Sequence, residues 1–231
     1  MENINYESCE MCNFEVHKSV LIVVSDTDKM TDCSPTGVWF EEFAIPYNTF
    51  LDKGYEISVA SPNGGKIPID KESLNDNWDV AKNILNNVKR LASVDYDRYN
   101  ALILPGGHGP MFDLCSNELL GKIITNFNQR KKLIGAICHG PAGLLSAVQN
   151  GVPFVKGRRL TCYTNEEEFY SQKETKIPYF LEDVLKNNGA NFVQGGISEV
   201  NVVTDDNLIT AQNYCSTGLF TKEIIEYLEN N

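Results

Sequence analysis

The stretch KKLIGAICHGPAGLL, residues 131–145, decides the fold. Lys132 to Ile137 is a short apolar run and is predicted to be a buried strand. Gly140 to Val148 is predicted to start a helix with Pro141 in its first turn, Gly143 to Asn150 continuing it and Gly151 closing it. Cys138 and His139 stand at the junction. A side chain there is held on constrained backbone beside helix N–H groups that point at whatever it attacks. The pattern therefore predicts a nucleophilic thiol at a strand-to-helix elbow, with a pKa lowered by the helix N-terminus. A free cysteine is more often a small buried hydrophobe. Against that stand Gly135, Gly140 and Gly143, which suit a tight elbow and close packing.

Working outward, short apolar runs alternate with helical spacing along the chain. Val20 to Ser25 is predicted to be a strand buried on both faces, Trp39 to Lys53 a helix capped by Gly54, and Tyr55 to Ala60 a second strand. Asp76 to Leu91 reads as a helix. Ala101 to Leu104 is a strand opening directly into PGGHGP, and Glu118 to Arg130 is a helix. Leu160 to Tyr163, Asn191 to Val193 and Leu208 to Ala211 are predicted strands, with helices over Tyr179 to Asn188 and Thr217 to Leu228. This alternation predicts an α/β sandwich around a mostly parallel sheet. It forms one domain over residues 18–231, preceded by a tail over 1–17. Reactive groups of such sheets gather at the carboxyl ends of strands, where both PGGHG and CHG fall.

Composition narrows the function. The 231 residues carry a net charge of -11, which repels nucleic acid and anionic membranes. No window approaches a membrane span, and the start of the chain lacks a basic segment followed by an apolar one, so no secretory leader is expected. Seven cysteines, odd in number and scattered, predict free thiols in a reducing, cytoplasmic setting. Cys9 and Cys12 form a lone CxxC with only His17 nearby, too few ligands for a zinc site. Cys33, Cys115, Cys162 and Cys215 are expected to be packing residues. No metal or cofactor is expected.

His139 can act as a base if the elbow turns its ring toward the thiol. His108 joins it if the two strands are neighbours, and the turn at Gly106 and Gly107 suits amides facing an anion. Glu42 lies beside the apolar face formed by Trp39, Phe43, Pro46, Tyr47 and Phe50. Glu166, Glu167 and Glu168 read equally well as a charged first helical turn.

LPGGHGPMFDL, GAICHGP, SPNGGKIPID, LTCYTNEEE and LITAQNYCS, in that set, resemble the DJ-1/PfpI superfamily, and within it the Hsp31-like branch of glutathione-independent glyoxalases (glyoxalase III). The resemblance runs from about Val20 to the C-terminus. It implies a flavodoxin-like sandwich, usually dimeric, so a homodimer is expected. It implies Cys138 as nucleophile and His139 beside it, Glu42 as the acid touching the cysteine, and Gly107 and His139 amides as oxyanion donors. Glu168 is implied as the carboxylate that orients the histidine, with the register among Glu166, Glu167 and Glu168 left open. The implied reaction converts a small 2-oxoaldehyde such as methylglyoxal to D-lactate through a cysteine hemithioacetal, with His139 or Glu42 as proton shuttle. Glu42 is expected to be protonated at rest, because the sulfur is close. Cysteine hydrolase or deglycase chemistry, and a stress chaperone or oxidation sensor, are the alternatives.

Overall fold

The structure is a computed structural model describing residues 18–74 and 79–231. Cys9, Cys12, His17 and Trp78 lie outside the described residues. In chain order the strands are β1 (Ser19–Val23), β2 (Glu56–Ser61), β3 (Lys89–Arg90), β4 (Ala101–Leu104), β5 (Leu133–Ile137), β6 (Val148–Gln149), β7 (Val152–Pro153), β8 (Arg159–Leu160), β9 (Asn191–Phe192), β10 (Val202–Asp205) and β11 (Leu208–Ala211). The helices are α1 (Phe40–Asp52), α2 (Asp79–Ile84), α3 (Pro110–Asp113), α4 (Glu118–Gln129), α5 (Asn165–Tyr170), α6 (Leu181–Asn187) and α7 (Thr217–Asn230).

Seven strands form the central sheet in the order β10-β11-β5-β4-β1-β2-β3. Pairing is parallel except between β10 and β11. Successive side chains point to opposite faces of a strand, and both faces here are covered. Val20, Ile22, Ile103, Leu133 and Ile137 pack with Phe43 and Phe50 of α1 and Phe220 and Ile224 of α7. Leu21, Val23, Leu102, Leu104, Ile134 and Ala136 pack with Leu120, Ile123, Ile124 and Phe127 of α4. This is the α/β sandwich expected. Because Leu104 of β4 lies beside Ala136 of β5, the loops leaving the two strands emerge together, and PGGHG meets CHG.

The chain departs from the sequence expectations where turn chemistry overrides periodicity. The segment after Cys138 is a 3-10 helix over Gly140–Ser146, not an α-helix to Asn150. Asn150 and Gly151, with φ of 51° and 75°, instead turn the β6–β7 hairpin; two consecutive positive-φ residues favour that turn. The helix expected from Asp76 to Leu91 ends at Ile84, the last residue of α2, after which Val88 bridges to Gly65 and β3 extends the sheet beside β2. β8 and β9 pair with each other in a separate two-stranded sheet. Cys162 is fully buried as expected, but Cys33 is exposed with φ of 66°, so it is a turn residue rather than a packing one.

Candidate active site

Cys138 occupies the left-handed region, with φ of 59°. That conformation costs a residue with a Cβ on the order of 1–2 kcal/mol. Backbone bonds on both sides hold it there: Cys138 N–H donates to the Ala211 carbonyl and Tyr163 N–H to the Cys138 carbonyl, each at 2.9 Å. The sulfur borders a cavity of about 70 Å³ enclosed in part by Trp39, Tyr163 and Tyr214. Trp39 and Tyr214 pack ring against ring at 5.7 Å, and Tyr163 lies 4.8 Å from the His139 ring.

On one side of the sulfur is Glu42. Trp39 N–H donates to the Gly106 carbonyl at 3.2 Å, docking the start of α1 on the loop after β4. The third residue of α1 is thereby turned inward. Glu42 is fully buried, and its Oε2 accepts from the Gly106 N–H at 3.0 Å. Glycine is needed at 106 because a Cβ there would sit 2.5 Å from Glu42 Oε2 and 2.7 Å from the Cys138 Cβ. Burial pushes the Glu42 carboxyl up to about 8, although its hydrogen bonds to Cys138 and Gly106 oppose the shift. It is protonated at neutral pH. The physical cause is loss of water first, rather than the proximity of sulfur that the sequence suggested.

On the other side are two imidazoles sharing one carboxylate. Cys138 Sγ lies 3.3 Å from His139 Nδ1, and His139 Nε2 lies 2.6 Å from Glu168 Oε1. The second oxygen, Glu168 Oε2, lies 3.4 Å from His108 Nε2. The two histidine rings are 4.1 Å apart. Burial would raise the Glu168 pKa, but electrostatic interaction with His139 and hydrogen bonds to both histidines outweigh it and hold the carboxyl at about 2. Burial and the neighbouring His139 push His108 down to about 4. An ionised carboxylate only accepts, so both Nε2 atoms carry the protons, and His139 Nδ1 presents a lone pair to the thiol.

The thiol itself differs from expectation. Burial, then the Glu42 carboxyl, push Cys138 well above its ordinary value, while a hydrogen bond from the Gly107 N–H pulls the other way. Cys138 is only 5% exposed, and the short 3-10 turn behind it does not offset that desolvation. Cys138 therefore rests as a thiol, so its proton has to move before it can attack.

The glutamate run resolves by capping. Thr164 and Glu167 form a reciprocal capping box at the start of α5, which commits Glu167 to the helix end. Glu167 also accepts from Ser198 N–H, Gln212 Nε2 and Asn213 Nδ2. Glu166 points outward to Gln194 at 3.4 Å. Glu168 is the one against the histidines. Gly107, with φ of 83°, turns its N–H toward the sulfur. The sequence reading missed the cavity's mouth, where Lys173 Nζ bonds Glu72 Oε2 at 2.7 Å; no motif marks either residue. One side-chain nitrogen or oxygen each from His108, His139 and Glu168 lies within 4.8 Å of the others, so these three could hold a cation.

Known proteins resemble this chain in sequence and fold. Glyoxalase 3 of Candida albicans is 29% identical over 224 residues, 87% of this chain and 93% of its own. The solved structure of glyoxalase III from that organism superposes with a TM-score of 0.79 at 26% identity, over 90% of this chain and 96% of its own. The X-ray structure of Francisella tularensis Rapid Encystment Protein 24 kDa is 34% identical with a TM-score of 0.86, over 90% of this chain and 98% of its own. Human glutamine amidotransferase-like class 1 domain-containing protein 1 is 31% identical over 173 residues, 73% of this chain and 79% of its own. The DJ-1/PfpI family pattern matches residues 33–227, a span that takes in Glu42, the loop after β4, the Cys138 elbow and Glu168, and the chain belongs to that family.

Proposed function

We propose that this protein is a glutathione-independent glyoxalase that converts methylglyoxal and related 2-oxoaldehydes to 2-hydroxy acids, D-lactate in the case of methylglyoxal. The observation that carries the reading is the continuous path from Cys138 Sγ to His139 Nδ1 and from His139 Nε2 to Glu168, at 3.3 and 2.6 Å. It gives a resting thiol a base and gives that base a fixed tautomer. Several relatives named glyoxalases support the same reading.

In this mechanism His139 Nδ1 takes the thiol proton as Sγ adds to the aldehyde carbon. The oxygen develops charge facing the Gly107 and His139 N–H groups and then receives that proton, giving a hemithioacetal. Neutral again, His139 removes the hydrogen from the former aldehyde carbon and delivers it to the neighbouring carbon. Glu42 is protonated, so it serves as a donor steadying the sulfur rather than as the base. The former aldehyde carbon is oxidised to a thioester, the neighbouring carbonyl carbon is reduced to an alcohol, and water releases the acid and restores the thiol. The redox change is internal, so no external electron acceptor enters the balance.

The cavity of about 70 Å³ suits a three-carbon carbonyl compound better than a peptide. Amidotransferase chemistry with a histidine late in the chain does not fit, since the three histidines are His17, His108 and His139. We further assign residues 18–231 to one domain, and a homodimer in the cytoplasm accompanies the reading on the strength of the family resemblance. No helix among the described residues is long and apolar enough to cross a membrane. The test is chirally resolved lactate from methylglyoxal without glutathione, for wild type and Cys138→Ala. D-lactate that disappears in the variant supports the reading; folded, reduced wild type that yields none overturns it.

A further inference from the structure

Moving hydrogen between the two carbons leaves a second transfer unassigned. When His139 withdraws the carbon-bound hydrogen, the intermediate carries a hydroxyl on the sulfur-bearing carbon and an oxyanion on its neighbour. A thioester forms only when the first oxygen loses its proton and the second gains one. The two oxygens are adjacent, and one basic atom facing both can carry the proton between them.

We propose that His108 Nδ1 is that atom: it accepts the proton of the hydroxyl on the sulfur-bearing carbon and passes it to the neighbouring oxyanion, making His108 a second catalytic histidine. The inference rests on the glyoxalase reading. It stands on three features. His108 lines the cavity that holds Cys138. Its Nε2 faces Glu168 Oε2 at 3.4 Å, which fixes the proton there and leaves Nδ1 a lone pair. That Nδ1 is buried and has no hydrogen-bond partner among the described residues. A buried acceptor without a partner is unfavourable, and a substrate hydroxyl removes that cost on binding.

The arrangement also separates two tasks that a single imidazole cannot perform at once. While the carbon-bound hydrogen is in transit, His139 Nδ1 is protonated and cannot accept the hydroxyl proton. Among the described residues His108 is then the remaining neutral imidazole at the cavity, and the same Glu168 carboxylate supports each ring in its turn. Its low basicity, set by burial and by His139, favours rapid release of the proton to the oxyanion over its retention.

His108→Gln tests this, because the amide keeps a donor for Glu168 and removes the base. The expected result is a fall in kcat for lactate formation of roughly 100-fold or more. Alkylation of Cys138 by iodoacetamide should stay unchanged, and a methylglyoxal adduct on Cys138 should accumulate by intact mass. A kcat within about threefold of wild type overturns the proposal. So does a parallel loss of Cys138 alkylation and adduct formation, which would mean that His108 acts only through Glu168 and His139. If the substitution disturbs the fold, wild type carries the test: the ¹⁵N resonance of His108 Nδ1, one of three histidines, should shift on addition of D-lactate, and a resonance that does not move overturns the proposal. Wild type that makes no lactate instead overturns the glyoxalase reading itself, a result distinct from failure of the His108→Gln prediction.

Discussion

Two buried glutamates flank Cys138 and hold opposite charge states. Glu42 sits where α1 meets the loop after β4, with one backbone N–H on its Oε2, and burial raises it to about 8. Glu168 sits on α5 facing two imidazoles, which hold it at about 2 against the same tendency. Burial is common to both; the number and kind of donors decide the sign. One bank of the cavity is thus a neutral acid and the other an ionised anchor. Groups with pKa values pushed apart in this way take distinct proton-transfer roles.

Removing the anchor should have the largest effect. Glu168→Gln replaces an acceptor for two N–H groups with an amide that satisfies at most one, freeing the tautomer of His139. The expected loss is roughly 10²- to 10⁴-fold in kcat, read in the lactate assay; activity near wild type would remove the distinction between the two banks.

The neutral bank should be visible in stability. The unfolded chain releases the Glu42 proton near 4.5, whereas the folded chain keeps it to about 8. Stability contributed by the protonated form is therefore lost as pH rises from about 5 to 8, and Glu42→Gln should gain on wild type across that window by on the order of a few kcal/mol. Urea unfolding of both proteins at several pH values checks this. On the acid side, His108 and Glu168 work in the opposite direction. Their depressed values mean that stability falls as pH drops, first between 6.5 and about 4 for His108 and then between 4.5 and about 2 for Glu168. A stability difference between wild type and Glu42→Gln that does not vary with pH would contradict the account of Glu42.

Gly106→Ala probes the join between Glu42 and the thiol. Its Cβ would meet both Glu42 Oε2 and the Cys138 Cβ well inside contact distance. It should cost about 1–3 kcal/mol of stability and roughly tenfold or more in kcat as the thiol and acid are forced apart. The smallest effect is expected at the mouth. Lys173→Met breaks a pair whose glutamate is largely exposed, worth at most about 1 kcal/mol, and should alter KM a few-fold at most while leaving kcat unchanged.

Much of this architecture was legible in the residues. Continuous apolar runs marked β1, β4, β5 and β11, and helical spacing marked α1, α4 and α7. Two glycine-rich turns at neighbouring strand ends located the site. β3 and β10 were missed because they are short edge strands in which, of all their side chains, only Val203 is buried. The β6–β7 hairpin was read as a helix end because Asn150-Gly151 suits a C-cap as well as a turn. Thr164 and Glu167 carry the capping-box spacing, so the sequence already held the signal that leaves Glu168 as the residue facing the histidines. The charge states were not legible, because they depend on how many donors reach each carboxylate across segments far apart in the chain.

The most direct test of that asymmetry is the infrared difference spectrum between wild type and Glu42→Gln as a function of pH. The account predicts a neutral-carboxyl band at pH 7 that belongs to Glu42 and titrates near about 8. A Glu42 already ionised at pH 7, titrating in the ordinary carboxylate range, would contradict it.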